Sequence, residues 1–220
     1  ADVRDELSAE GVRAVEGLPA DFRYDWVDVP ERRSDPSGRR LKVFYFWKSE
    51  RLKKSVPTLL LNGGPGLAST SLYGSFESFS EGLNAVYMDQ RGTGASSRLP
   101  KADSKSLPRF VHYLSEDIAL DAEAVRQQLL GPKGRWSIFG QSFGGLIAQR
   151  YIALAPEFLV SAHVHGAAAM KDPRRYALER MRSHSDVLKG FFSEYPEDQQ
   201  LLERLWGQVA DDLCFSRSGA

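Results

Sequence analysis

The sequence predicts an α/β fold, in which a mostly parallel sheet is covered by helices on both faces. Short, continuously apolar segments such as TLLLN (58–62) and NAVYMDQ (84–90) are typical of buried parallel strands. Helical patterns alternate with these segments, as the crossover connections of a parallel sheet require. A glycine-flanked serine, Ser142, lies where one such strand gives way to a helix.

Composition and charge exclude several classes of protein. Hydrophobic residues make up 42% of the 220 residues, which is too many for a disordered chain. Lys and Arg number 29 and so do Asp and Glu, so the net charge is zero and the chain has no global field that would steer nucleic acid towards it. Apolar runs stay shorter than the roughly 20 residues of a membrane helix. We therefore expect neither nucleic acid nor a membrane as a partner.

Cysteine usage leaves the compartment open. Cys214 is the one cysteine, so the chain has no intrachain disulfide and no cysteine cluster for a metal. We expect no metal and no cofactor. The sequence starts at Ala1 rather than Met, which fits either deliberate trimming of the N-terminus or removal of a signal peptide. The expected location is cytoplasmic or, after signal removal, periplasmic or secreted.

An antiparallel hairpin is predicted before the parallel part of the sheet. FRYDWVDVP (22–30) alternates aromatic with polar residues, as a strand does. LKVFYFWK (41–48) is rich in aromatic and β-branched residues. The segment ERRSDPSGRR (31–40) between them has the composition of a turn. We place this hairpin at the edge of the sheet.

The remaining elements of the first part alternate between helix and strand. Ser115 is predicted to cap a helix that Gly131 and Pro132 end. The other predicted elements are a helix reaching about Ser80, strands over 135–140 and 159–166, and a helix over 142–155.

The last part of the chain predicts two consecutive helices. Asp172 is placed to cap the first, with Pro173 at its first position. The second starts near Pro196, and seven apolar residues share one face: Leu201, Leu202, Leu205, Trp206, Val209, Ala210 and Leu213. We predict that 1–170 is the N-terminal part of the core and 171–220 the start of a helical cap, or lid, with the C-terminal part of the core absent.

Gly140-Gln141-Ser142-Phe143-Gly144 fits the G-x-S-x-G pattern of a hydrolase nucleophile, with a strand before it and a helix after it. A sharp turn there lifts the serine above the sheet and requires a positive φ at Ser142. Side chains two residues away on either side would collide, so glycine fits both positions. The amide of Phe143 then lies at a helix N-terminus, where it can donate to an oxyanion.

Two further motifs follow predicted strands. NGGPG (62–66) forms a loop with few side chains, which can bring a backbone N–H close to a substrate carbonyl as the second oxyanion donor. MDQRGTGAS (88–96) contains Asp89 and Arg91, which we expect to brace loops through charge-assisted hydrogen bonds rather than take part in chemistry.

NGGPG, DQRGTGAS and GQSFGG, in this order and at these spacings, resemble the proline iminopeptidase (prolyl aminopeptidase) family of α/β-hydrolase serine peptidases. Asn62 stands where the family usually has histidine. The resemblance implies an α/β-hydrolase fold and release of an N-terminal residue, typically proline, from a peptide with a free N-terminus. It also implies that Ser142 is acylated and that the amides of Phe143 and Gly64 hold the oxyanion.

The histidine base and the acid of a catalytic triad are not assigned within this chain. In this fold the order is serine, then acid, then histidine. His163 and His165 are interpreted as ordinary strand residues, and His184 as a solvated residue of the first cap helix. His112 precedes Ser142, which is the wrong order. We expect both groups in a remainder of the same chain and expect the 220 residues alone to be inactive.

Two alternatives to an aminopeptidase stay open. An esterase or another acyl hydrolase uses the same scaffold and the same turn around its nucleophile. The second alternative is not an enzyme: it is a catalytically inactive fragment that keeps the scaffold.

Overall fold

A computed structural model of the chain describes residues 7, 9–48, 52, 55–80, 82–100, 107–167 and 173–215. The chain divides into two compact units, 1–169 and 170–220. The first unit contains all the strands of the described sheet, and the second contains the last two helices.

The first unit is built on a mixed sheet, which has six strands within the described residues. The strands run in the order β1-β2-β4-β3-β5-β6 across the sheet. β1 and β2 form the predicted antiparallel hairpin at one edge, and β2 is antiparallel to β4. The remaining pairs are parallel. The strands are β1 Phe22–Pro30, β2 Arg40–Lys48, β3 Thr58–Leu61, β4 Ala85–Met88, β5 Trp136–Gln141 and β6 Leu159–His165.

The helices of the first unit alternate with the parallel strands. This alternation confirms the α/β class and the mostly parallel sheet that the sequence predicts. Short 3₁₀ segments cover 107–113 and 156–158. The helices of this unit are α1 Ala9–Glu16, α2 Ser69–Ser80, α3 Ser115–Leu130 and α4 Phe143–Leu154.

The core lies on both faces of the sheet, because alternate residues of each strand point to opposite faces. Leu59 and Leu61 of β3 pack in one apolar cluster with Ile118 of α3 and Ile147 of α4. Leu60, between them, packs in a second cluster on the other face, which includes residues of α1 and β2. The continuously apolar sequence of β3 therefore follows from burial on both sides.

The ends of α3 agree only partly with the sequence prediction. Gly131 ends the helix with φ 79, as predicted. The predicted cap at Ser115 is wrong, because Leu114 is the N-cap residue, with extended backbone and no side-chain hydrogen bond. Ser115 is already the first helical residue, and the Leu114 carbonyl accepts the first helical bond, from Ile118 N, at 3.1 Å.

The second unit consists of α5 Pro173–Glu194 and α6 Pro196–Phe215. The predicted helix start at Pro196 is confirmed, whereas the predicted cap at Asp172 lies outside the described residues. Apolar side chains of both helices are exposed, among them Met181, Leu202 and Trp206. None of the helices in the described part of the chain combines the length and the apolar character needed to cross a membrane.

Candidate active site

Ser142 occupies the turn between β5 and α4, at the carboxyl end of a strand that lies between β3 and β6. Its backbone has φ 53 and ψ −119, and it is the one non-glycine residue with positive φ among the described residues. The positive φ predicted from the glycine spacing is therefore confirmed. A non-glycine residue in such a conformation costs about 1–3 kcal/mol and persists only where the surroundings enforce it.

Close backbone packing enforces this turn at the two flanking glycines. A Cβ atom added to Gly140 would lie 2.3 Å from the carbonyl oxygen of Gly144. A Cβ atom added to Gly144 would lie 2.0 Å from the carbonyl oxygen of Leu61 in β3. Both obstacles are backbone atoms, which cannot rotate away as a side chain can. Glycine at 140 and 144 thus lets α4 start directly against the sheet, with Ser142 at its N-terminus.

Hydrogen bonds anchor the turn on both sides. The amide of Ser142 donates to the carbonyl of His165, at the end of β6, at 2.8 Å. The amide of Gly145 donates to the carbonyl of Ser142 at 2.9 Å. Ser142 is therefore held by the neighbouring strand and by the first turn of α4 together.

The glycine-rich loop after β3 lies beside Ser142. A Cβ atom added to Gly63 would be 3.1 Å from Ser142 Cβ and 3.6 Å from Ser142 Oγ. The predicted proximity of the 62–66 loop to the serine is confirmed by these distances. Phe143 is the first residue of α4. Donation by the amides of Gly64 and Phe143 to an oxyanion stays a prediction.

Asn62 shapes this loop through a buried side chain. Its Nδ2 donates to the carbonyl of Leu67 at 2.6 Å, across the loop, and its Oδ1 accepts from Ser69 Oγ at 3.1 Å. Its own carbonyl accepts from Gln90 Nε2 at 3.2 Å. No role for Ser69 or Gln90 follows from the sequence. They lie 7 and 28 positions from Asn62 along the chain, and no local pattern indicates contacts over these separations.

Asp89 braces the loops after β3 and β4. Its oxygens accept hydrogen bonds from Thr70 N and Thr70 Oγ1, both at 2.9 Å, and from Ala95 N at 2.8 Å. Burial raises the pKa of the Asp89 carboxyl, and the hydrogen bonds from Ala95 and Thr70 oppose that rise. The predicted bracing role of Asp89 is confirmed.

Arg91 braces a second set of segments. Its Nε and Nη2 each donate to the carboxylate of Asp121 in α3 at 2.6 Å, and both side chains are fully buried. Nη1 also donates to the carbonyl oxygens of Glu31 and His112. Burial by itself would lower the pKa of the Arg91 guanidinium. The hydrogen bonds to Asp121 and its negative charge outweigh this effect, so the pKa is raised. The predicted bracing role of Arg91 is confirmed as well.

The histidines on β6 point away from the start of α4. A Cβ atom added to Gly145 would lie 3.2 Å from Val164 Cγ1, so Val164 faces α4. Side chains alternate along a strand, so His163 and His165 face the other side of the sheet. Over the described ranges, no hydrogen bond links the Ser142 hydroxyl to a histidine or a carboxylate. Nor do the described histidines, cysteines and carboxylates form a group of three that could hold a metal.

The strained serine, its glycines and the adjacent loop agree with the comparison to known families. Residues 56–203 match the family model described as the alpha/beta hydrolase fold. The chain belongs to the α/β-hydrolase family. A proline iminopeptidase of Aeromonas sobria is 30% identical over 176 residues, which are 72% of this chain and 40% of that protein. A proline iminopeptidase of Neisseria gonorrhoeae is 31% identical over 113 residues, which are 51% of this chain and 33% of that protein.

These relatives confirm the predicted resemblance to the proline iminopeptidases. The chain spans only about two fifths of the length of the Aeromonas sobria protein. Among solved structures, a probable hydrolytic enzyme of Pseudomonas aeruginosa has a TM-score of 0.51 at 19% identity, covering 72% of this α/β-hydrolase and 46% of that chain. At this identity the structural likeness shows the fold alone.

Proposed function

We propose that the protein is a serine aminopeptidase that releases the N-terminal residue, typically proline, from peptides with a free N-terminus. The observation that carries the proposal is Ser142, held at positive φ beside the 62–66 loop. The similarity to proline iminopeptidases supplies the substrate class.

In the proposed reaction, the Oγ of Ser142 attacks the carbonyl carbon of the scissile peptide bond. A base takes the hydroxyl proton and passes it to the departing amine, and water then hydrolyses the acyl-enzyme ester. The amides of Gly64 and Phe143 are proposed to donate to the oxyanion of each tetrahedral intermediate. The packing at Gly140 and Gly144 fixes the backbone that carries the Phe143 amide, so this donor needs little reorganisation as the negative charge develops.

The base and the acid of this reaction are proposed to lie outside the 220 residues. The orientation of His163 and His165 away from the start of α4 supports this assignment. A serine hydroxyl without a base is a weak nucleophile at neutral pH. We therefore expect residues 1–220 alone to show no peptidase turnover, while the full-length polypeptide does.

The test uses proline and alanine p-nitroanilides and a p-nitrophenyl ester on the full-length polypeptide. We expect turnover of the proline anilide to exceed that of the alanine anilide, and Ser142→Ala to lower it by about 10⁴-fold or more. Ser193→Ala is the matched control, since its exposed hydroxyl donates to the nearby Gly190 carbonyl, at 2.7 Å, within α5. Ester turnover without anilide turnover would instead assign an esterase, and anilide turnover that survives Ser142→Ala would refute the nucleophile.

A further inference from the structure

A cavity of about 370 Å³ opens between the loop after β3 and the loop after β4. Its walls combine apolar side chains with backbone and one guanidinium. Arg98 is the one charged side chain among the described residues that line it, and no carboxylate is among them. Leu67, Leu72 and Leu99 are among its apolar residues, and Gly66, Gly92 and Gly94 are among its glycines.

The cavity lies at the same end of the sheet as Ser142. β3, β4 and β5 are parallel, so their carboxyl ends share one edge, and both loops follow such ends. Neighbouring strands are about 4.8 Å apart, and β5, β3 and β4 are successive neighbours. The space between the two loops is thus displaced sideways from Ser142 by roughly 5–10 Å, which is the length of two or three extended residues at about 3.3 Å each.

Arg98 is held at the cavity by its backbone and by one side-chain bond. Its backbone pairs with Gly92, and the preceding Ser97 bonds Lys42 of β2 through both its amide and its hydroxyl, at 2.8 Å each. One guanidinium nitrogen, Nη2, donates to the carbonyl of Leu7. A guanidinium carries five N–H donors, so this bond leaves donors for a ligand.

Charge decides which end of a peptide fits this cavity. A peptide substrate carries an ammonium group at the end that an aminopeptidase removes and a carboxylate at the other end. Arg98 repels the ammonium and attracts the carboxylate. Asp89, the buried acid behind Gly94 in the cavity wall, has its oxygens occupied by Thr70 and Ala95 and does not neutralise the guanidinium by an ion pair.

We propose that this cavity binds the leaving-group end of a short peptide, with Arg98 holding its terminal carboxylate. The inference rests on the proposed aminopeptidase function and narrows its substrates to peptides of two or three residues. Leu67, Leu72 and Leu99 in the walls favour an apolar side chain next to the released residue. Arg98 is a specificity-determining residue, since it contacts the substrate away from the reacting atoms.

The experiment measures binding rather than turnover, so that it does not depend on the proposed chemistry. The full-length polypeptide carrying Ser142→Ala is titrated by calorimetry with the dipeptide Pro-Leu and with its C-terminal amide. We expect the free acid to bind about fivefold more tightly, the upper range for a solvent-accessible ion pair. The preference should shrink in 0.5 M salt, because salt screens an accessible charge pair.

Variants at Arg98 separate a charge contact from a structural role. Arg98→Gln should abolish the preference for the acid, and Arg98→Lys should retain most of it. Arg150→Gln is the matched control, because Arg150 is an exposed arginine that lines a different cavity, between α3 and α4. It should leave the preference unchanged.

Equal affinity for the acid and the amide would overturn the proposal, and so would a failure of both ligands to bind. A loss of the preference for the acid in Arg150→Gln as large as that in Arg98→Gln would overturn it as well. A failure of the proposed function would be seen in a different measurement. In that case the full-length polypeptide with Ser142 intact would not turn over the proline anilide.

Discussion

Replacing Gly144 by alanine tests whether backbone packing enforces the turn at Ser142. The added Cβ would lie 2.0 Å from Leu61 O, 2.5 Å from Leu61 C and 2.6 Å from Asn62 O. Nonbonded carbon and oxygen atoms rarely approach closer than about 3 Å, so the start of α4 must move away from β3 by about 1 Å.

The cost of this movement follows from what lies on each side of the clash. Leu61 belongs to β3, which is hydrogen-bonded to β4 on one side and to β5 on the other, so the strand cannot yield alone. Overpacking of a core costs about 1–3 kcal/mol where side chains adjust. Here backbone meets backbone, and we expect at least the upper value, about 3 kcal/mol. A displacement of Ser142 by about 1 Å should also slow its reaction about 100-fold.

The assay uses the full-length polypeptide and combines urea unfolding with the rate at which a fluorophosphonate probe labels Ser142. Gly74→Ala is the matched control, because Gly74 is exposed within α2 and an added Cβ meets no atom within 4 Å. Alanine is the better helix former by about 1 kcal/mol, so this variant should be as stable as the parent or slightly more stable. The packing explanation is wrong if Gly144→Ala unfolds within about 0.5 kcal/mol of the parent and is labelled at the same rate.

Three further predictions concern the braces around the site. Asp121→Ala should destabilise the protein by about 3 kcal/mol in urea unfolding, because the buried Arg91 loses its two short bonds and keeps only the more distant charge of Asp117 at 3.8 Å, while Arg33 also loses its bond to Asp121. The double variant with Arg91→Met should lose less than the sum of the single losses. Burial by itself would raise the pKa of the Glu31 carboxyl. Hydrogen bonds from the Arg109 guanidinium and the Tyr113 hydroxyl outweigh this effect and lower the pKa of this carboxyl from its ordinary value of 4.5. Its contribution to stability is thus present above about pH 4.5 and lost as the pH falls, so Glu31→Gln should flatten the loss of stability between about pH 5 and pH 3. Asn62→Ala should cost about 1–2 kcal/mol and slow fluorophosphonate labelling, because the bond to Leu67 across the loop is lost.

Each of these outcomes has a result that contradicts it. An Asp121→Ala variant as stable as the parent would show that Arg91 finds solvent or another acceptor. A Glu31→Gln variant with an unchanged pH profile of urea stability would place the acid sensitivity elsewhere. Unchanged labelling in Asn62→Ala would mean that the loop keeps its shape without this side chain.

Local patterns in the sequence predict the elements of the first unit well. The strand over 22–30 has the predicted bounds, and α3 ends at Gly131 as predicted. Periodicity and turn chemistry act over a few residues, so they are readable without knowledge of the rest of the chain. The start of α3 shows the limit of local patterns. Ser115 has the residue type of a cap, but the cap position falls one residue earlier, where the extended backbone of Leu114 meets the helix.

The α/β class and the strained turn at Ser142 are predictable from the sequence alone, because each depends on patterns or glycines spaced within a few residues. The proximity of the 62–66 loop to Ser142 depends instead on the pairing of β3 with β5. Only three-dimensional packing sets the contacts that position them, such as the bond from Ser142 to His165 and the pairing of Arg91 with Asp121 across 30 residues. It also placed Arg98 in a cavity that no motif signals. These contacts depend on the order of the strands across the sheet, since that order sets which chain-distant loops meet. Local propensity does not encode the order of the strands.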